Sequence, residues 1–287
     1  MADVAQSVQI KGPGVPDRSL RTRRLMTHTG IFLTLVLVWE IASRAGVLDP
    51  LFYPRPSHIL NSFWLIYFKN GNVWEHLGVT MGLVFMGFVG GSVLGIVLGS
   101  LVGLNGVVRR FLKPYVIVLE ATPRIALAPL LIAALGFGST SKIAIIILVC
   151  FFAPFINTLS GVMNVNAEKL ELFRSMGASK WQILRKLVFP DAIPIIMAGE
   201  RLALTAALSG ALVAEFIQRD KGIGSLILTY TRNLNMSSAF ACIFTLTILG
   251  FLIFRGMEWL DHRIAYWKNE AGMARVGARR ARKMGAI

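Results

Sequence analysis

The sequence predicts an all-α membrane protein with about six transmembrane helices, on three observations. Of its 287 residues 55% are hydrophobic and the mean hydropathy is positive, more apolar than the one or two soluble domains such a length would otherwise suggest. The apolar residues gather into runs approaching the ~20 residues that carry a helix across a bilayer. Six crossings from a cytoplasmic start leave residues 1–28, 105–113, 164–190 and 255–287 inside with 21 Lys/Arg, against 7 in residues 44–77, 136–142 and 218–237 outside. Such a bias toward the cytoplasmic segments sets orientation. The same distribution argues against nucleic acid, which a net charge of +15 would otherwise suit.

Residues 1–28 are polar and carry Gly12, Pro13, Gly14 and Pro16, the composition of a disordered basic tail. A transmembrane domain is expected over 29–265 and a second basic tail over 266–287. The first apolar run, Gly30 to Ala42, is interrupted by Glu40, which favours an uncleaved helix near 27–46 over a signal peptide. Leu48 to His76 is amphipathic and holds Phe52, Tyr53, Trp64, Tyr67, Phe68 and Trp74; it reads as a surface helix on the outer side or as an ordinary loop.

From Leu77 to Leu104, Gly87, Gly91, Gly95, Gly99 and Gly103 recur every four residues. Small residues at this spacing let helix backbones approach closely in lipid, so they predict helix packing. The third span, Pro114 to Leu135, places Glu120 and Arg124 at i,i+4, the favourable order for a helical ion pair. Pro123 and Pro129 interrupt it, and broken helices are tolerated in membranes where the freed backbone faces protein or a water-filled cavity. Intramembrane charge marks Glu120 and Arg124 as pathway candidates; the alternative is that they reach water at a cytoplasmic end. The fourth span runs from Lys142 to about Val162. The fifth, Ile193 to Phe216, adds Glu200, Arg201 and Glu215, of which Arg201 and Glu215 join the pathway candidates. The sixth begins at Ser238 and ends near Phe254.

Between the fourth and fifth spans lies the longest polar segment, 164–190. Gly177 divides it; Ser179 followed by Gln182 reads as a capping box. Trp181, Leu184, Leu187 and Val188 then lay an apolar stripe beside Lys180, Arg185 and Lys186. Pro190 is expected to stop this helix, and Pro194 to constrain the start of the next.

Glu171, Gly177 six residues later, and Leu187-x-Phe189-Pro190 after nine intervening residues resemble the EAA loop of permease subunits of ABC importers. Leu172 and Phe173 depart from the two Ala usual there. Trp39-Glu40, Pro54-Arg55-Pro56-Ser57, the glycine-rich second span, Thr122 to Leu130, Gly136-Phe137-Gly138, Ser141-Lys142 and Ala214-Glu215 extend the likeness to the nitrate/sulfonate/taurine-type branch, over roughly residues 30 to 265. The resemblance implies a type I importer permease fold in the bacterial inner membrane, with both termini cytoplasmic. It implies a coupling helix carrying Glu171, Gly177, Ala178, Ser179, Trp181, Leu184, Leu187 and Pro190. The implied partners are two ATP-binding subunits, a second permease copy and a periplasmic binding protein that delivers a small, anionic solute.

Phosphate-binding loop, zinc-protease, C-x-x-C and nucleophile-elbow motifs do not occur in the sequence. No enzyme, cofactor or metal is therefore expected, and any ATP hydrolysis belongs to another subunit. Cys150 and Cys242 read as small buried hydrophobes, and His28, His58, His76 and His262 form no ligand cluster. The alternative function, a self-sufficient channel or secondary transporter, would more often show duplicated half-repeats.

Overall fold

The computed structural model describes residues 18–264, so residues 1–17 of the tail expected at 1–28, and the whole of the tail expected at 266–287, lie outside the described residues. The chain divides into two units, 1–61 and 62–287.

In the first unit, α1 spans Arg18–Arg44. Residues 18–28 are thus helical rather than tail, because the stretch lacks Gly and Pro and is rich in Arg, Leu and Met, which favour helix. The apolar part, Met26–Arg44, is long enough to cross a membrane. Glu40 near its end accepts hydrogen bonds from Arg44 Nε (2.7 Å), from the Ser57 amide (3.1 Å) and from Ser57 Oγ (3.0 Å). Ser57 lies in the first turn of α2 (Pro56–Trp64), whose leading amides lack intrahelical partners. A carboxylate that looks misplaced in an apolar run is therefore the cap of the next helix.

In the second unit, α3 (Asn72–Leu104) is followed by α4 (Gly106–Ala121), a 3₁₀ turn at Arg124–Leu127, α5 (Ala128–Leu135), α6 (Ser139–Cys150) and α7 (Phe152–Met163). Then come α8 (Ala167–Ser175), α9 (Lys180–Ile183), α10 (Phe189–Gln218), α11 (Ile223–Arg232) and α12 (Met236–Ile264). Among the described residues five helical stretches are long and apolar enough to cross a membrane. The third expected span is the exception, being broken into α4 and the short Arg124–Leu135 helix. Thr122 precedes Pro123 and is extended (φ −71°, ψ 129°), the conformation that proline imposes on its predecessor.

Pro190 does not stop the helix that the capping box starts. Lys180 to Gln218 forms one helical stretch of 39 residues, with a π turn at Leu184–Val188 in which the Phe189 amide donates to Leu184 O. A widened turn moves the preceding carbonyls away from the proline ring, removing the clash that proline causes in a regular helix.

α3, the α6–α7 pair and α10 pack on one another around Leu83, Val84, Ile146, Cys150, Ala203, Ala207 and Ala211. A Cβ at Gly91 would lie 2.4 Å from Cys150 Sγ, at Gly95 2.6 Å from Phe151 O, and at Gly99 2.6 Å from Phe155 O; Gly87 and Gly103 press on Ile146 and Val162. α10 carries a second row at the same spacing, Gly199, Ala203, Ala207 and Ala211, with Gly199 against Ala153 O and Asn157.

Because the obstructing atoms at Gly95 and Gly99 include backbone, neither site can relax cheaply. Gly95→Ala and Gly99→Ala are each expected to cost about 2 kcal/mol or more, read as a lower thermal transition of the detergent-solubilised protein. Gly78→Ala, in the same helix but in open space, should be neutral or slightly stabilising because Ala favours helix over Gly. Equal losses at all three positions would contradict the packing account.

Candidate functional site

The connection between α7 and α10 is built from two capped turns. Asn166 Oδ1 accepts the Glu168 and Lys169 amides (2.8 and 3.2 Å) and starts α8. At the other end Gly177 has φ +72°, its amide donates to Arg174 O (3.0 Å) and that of Ala178 to Phe173 O (3.0 Å). This is a Schellman closure, whose left-handed position glycine fills without strain. Ser179 Oγ then accepts the Gln182 amide (3.2 Å) while Gln182 Oε1 accepts the Ser179 amide (2.8 Å), a complete capping box. Lys169 Nζ reaches Asp191 Oδ1 (3.2 Å) and ties α8 to the start of α10.

Within this segment Glu171, Gly177, Ser179 and Trp181 are exposed, Ala178, Leu184 and Pro190 are half-buried, and Leu187 is buried. The inward residues anchor the segment on its own protein. The exposed apolar surface is instead Trp181 (67%), Leu172 (57%) and Met176 (75%). In the sequence Leu172 stands out only as a departure from the usual Ala and Met176 not at all, although an i,i+4 apolar pair in a polar helix was the available signal.

The four charged pathway candidates separate. Glu120, exposed at the end of α4, makes no ion pair with Arg124 among the described residues, because the break at Thr122–Pro123 removes the helical register that i,i+4 pairing requires. The Arg124 guanidinium lies over the Phe152 ring, 4.5 Å from its centroid, a cation–π contact. It borders a cavity of about 290 Å³ with Thr122, Pro123, Ile125 and Val149. Arg201 is paired with Asp261 of α12, rather than with Glu200, which accepts from Ser92 Oγ (2.5 Å) on α3.

Glu215 is fully buried and does not line an open path in this structure. It continues the small-residue row of α10 and accepts from Thr80 Oγ1 (2.7 Å) and from the Gly224 amide (2.7 Å). Around it, Lys142, 2% exposed, donates to Lys221 O (3.2 Å), and Gln218 bridges the Gly138 amide and Ser141 Oγ (2.9 and 2.8 Å). The Glu75 carboxylate beside Lys221 (2.6 Å) raises the lysine above its ordinary pKa. Thus the Gly136–Gly138, Ser141-Lys142 and Ala214-Glu215 segments, far apart in sequence, form one polar cluster.

The family of binding-protein-dependent transport system inner membrane components matches residues 91–266, from the middle of α3 past α12. The chain belongs to that family. Among curated relatives, the formylaminopyrimidine transport permease ThiX of Halalkalibacterium halodurans is 31% identical over 87% of this chain and 99% of its own length. The taurine transport permease TauC of Escherichia coli is 28% identical over 87% and 92%. A methionine ABC transporter captured in inward-facing conformations shares the fold, with TM-score 0.59 and 20% identity over 70% of this chain and 97% of the other. As a family member the chain is a multi-pass inner-membrane permease of an ABC importer, not an enzyme; ATP hydrolysis belongs to a separate subunit, and a substrate-binding protein is a further partner. That assignment sets aside the self-sufficient channel.

Gly177→Val should open the α8–α9 turn to limited proteolysis, since a β-branched residue resists positive φ. Gly177→Asn should stay protected, because Asn tolerates the left-handed region. Equal cleavage of the two variants would show that the backbone angle is not what holds the turn.

Proposed function

We propose that two copies of this chain form the membrane path of an importer for a small anionic solute, a sulfonate, taurine, nitrate or similar organic acid. A periplasmic binding protein delivers it, and two ATP-binding subunits dock on the α7–α10 connections in the cytoplasm. The observation that carries this reading is the doubly capped turn, which holds Leu172, Met176 and Trp181 exposed beside Lys180, Arg185 and Lys186. Rigid display of large apolar side chains within a basic surface suits insertion into a partner cleft. The excess of Lys/Arg in the same segment and in the terminal regions supports a cytoplasmic placement for all three.

The anionic solute is suggested by Arg124. Among the described residues its guanidinium has no carboxylate partner, Phe152 fixes one of its faces, and a cavity opens at the helix break beside it. An intramembrane arginine in that setting is suited to an oxyanion. The names of relatives include taurine and aliphatic sulfonate permeases, which agrees with this class, and also a riboflavin permease, which does not.

Tagged wild-type chain should co-purify an ATP-binding subunit from its own cells, and Trp181→Glu should lose it while remaining folded; retention by the variant would remove the docking surface from Trp181. Arg124→Gln should keep the subunit yet slow uptake at saturating binding protein by roughly tenfold or more, the worth of one charged hydrogen bond. Unaltered uptake would sink the anion contact.

A further inference from the structure

α11 is held at its start by side chains from two other helices. Its first two amides are each taken, that of Ile223 by Thr80 Oγ1 (2.9 Å) and that of Gly224 by Glu215 Oε2 (2.7 Å), while His76 Nδ1 lies against both the carbonyl (2.9 Å) and the amide (3.1 Å) of Gly222 just before them. Thr80 Oγ1 in turn donates to Glu215 Oε1 (2.7 Å). One hydroxyl therefore links α3, α10 and α11. The fit is close, since a Cβ on Gly222 would lie 2.1 Å from the Glu215 carboxyl.

The connections on either side of α11 are unlike the rest of the chain. Among the described residues, the two non-glycine residues with positive φ are Arg219 (56°), between α10 and α11, and Leu234 (55°), between α11 and α12. Side chains with a Cβ pay a steric penalty in this region. Leu234 is also exposed, so no burial offsets its conformation. Strain kept at both ends of one helix, against a clasp at its start, is the arrangement of an element with two positions.

We propose that α11 is a hinged gate of the transport path, with Arg219 and Leu234 as hinges and Thr80–Glu215 as the clasp. Thr80 and Glu215 are positioning residues: they hold the gate shut and touch no solute. In this structure the clasp is closed and the hinges are strained. Release of the clasp lets α11 swing from α3, and the hinges relax as it does. Resting on the importer reading, this gate lies at the periplasmic end, where its opening accompanies nucleotide-driven closure of the ATP-binding subunits.

Two substitutions push this equilibrium in opposite directions. Thr80→Val keeps shape but removes the linking hydroxyl, so ATPase activity without binding protein should rise about tenfold. Leu234→Gly relieves the hinge in the closed position, so the same activity, and its stimulation by binding protein, should fall several-fold while thermal stability rises. A purely structural role would lower stability and activity together. Spin labels at Thr229 on α11 and Val79 on α3 should move apart in the reconstituted complex trapped with ATP. Unchanged ATPase in both variants, or an unchanged label distance, would overturn the gate. If wild type recruits no ATP-binding subunit, it is the importer reading that fails. Should Thr80→Val not fold, the Leu234→Gly response and the label distance decide alone.

Discussion

Close approach of α3 to the α6–α7 pair is the contact on which the remaining geometry depends. In lipid, burying apolar side chains gains little over leaving them in the acyl chains, so helices are held by contact and by hydrogen bonds between them. The α3 glycines bring its backbone against Phe151 O and Phe155 O, and Cys150 Sγ donates to Gly87 O (3.5 Å). α10 enters the same wedge through Gly199 and its row of alanines. Because that row continues to Glu215, the packing that builds the core also delivers a carboxylate to the start of α11. Core and polar cluster are one construction.

Three breaks in the helices of this core each have a proline behind them. Pro123 ends α4 and leaves Arg124 in the 3₁₀ turn that follows. Pro154 cannot donate to Cys150 O, and the α6–α7 joint falls at Phe151. Pro190, in the first turn of α10, directly follows the π turn that joins the capping-box helix to α10. The prolines therefore act less as terminators than as sites where a long helix changes its winding.

Much of this was legible in the sequence because it depends on local spacing. The four-residue glycine period gave the packing face of α3, and Ser179 with Gln182 gave the cap of α9. Proline position gave the break in the third span. The failures share a cause, since they needed knowledge of which distant groups meet. Glu40 reads as an interruption of an apolar run and is the cap of α2. Arg201 has Glu200 as its chain neighbour, yet Asp261, sixty residues on, is its partner. Glu120 and Arg124 have helical spacing without helical backbone between them. Glu215 could have been placed by extending the Gly199, Ala203, Ala207, Ala211 row one step further, which assigns it to the packing face. Lys142 offers no such signal, because its burial depends on carbonyls and acids of the α10–α11 connection.

Continuity of the helical stretch from Lys180 to Gln218 gives the capped α8–α9 segment and the polar cluster a mechanical relation that neither has alone. Its 39 residues measure about 60 Å at the rise of an α-helix, which exceeds the thickness of a bilayer core. One end carries the capping box and Trp181, the other Glu215 and the clasp on α11. A rod of this length, wedged at its middle by alanines against α3 and α6, can tilt about that wedge but cannot easily stretch. Displacement of the Trp181 end must then appear at the Glu215 end, reduced by whatever the π turn at Leu184–Val188 absorbs. A clasp made of short hydrogen bonds responds to such tilting more sharply than an apolar contact would, because hydrogen bonds weaken steeply with distance and angle. That difference is a physical reason for Thr80 and Glu215 to stand at the end of a row otherwise composed of glycine and alanine.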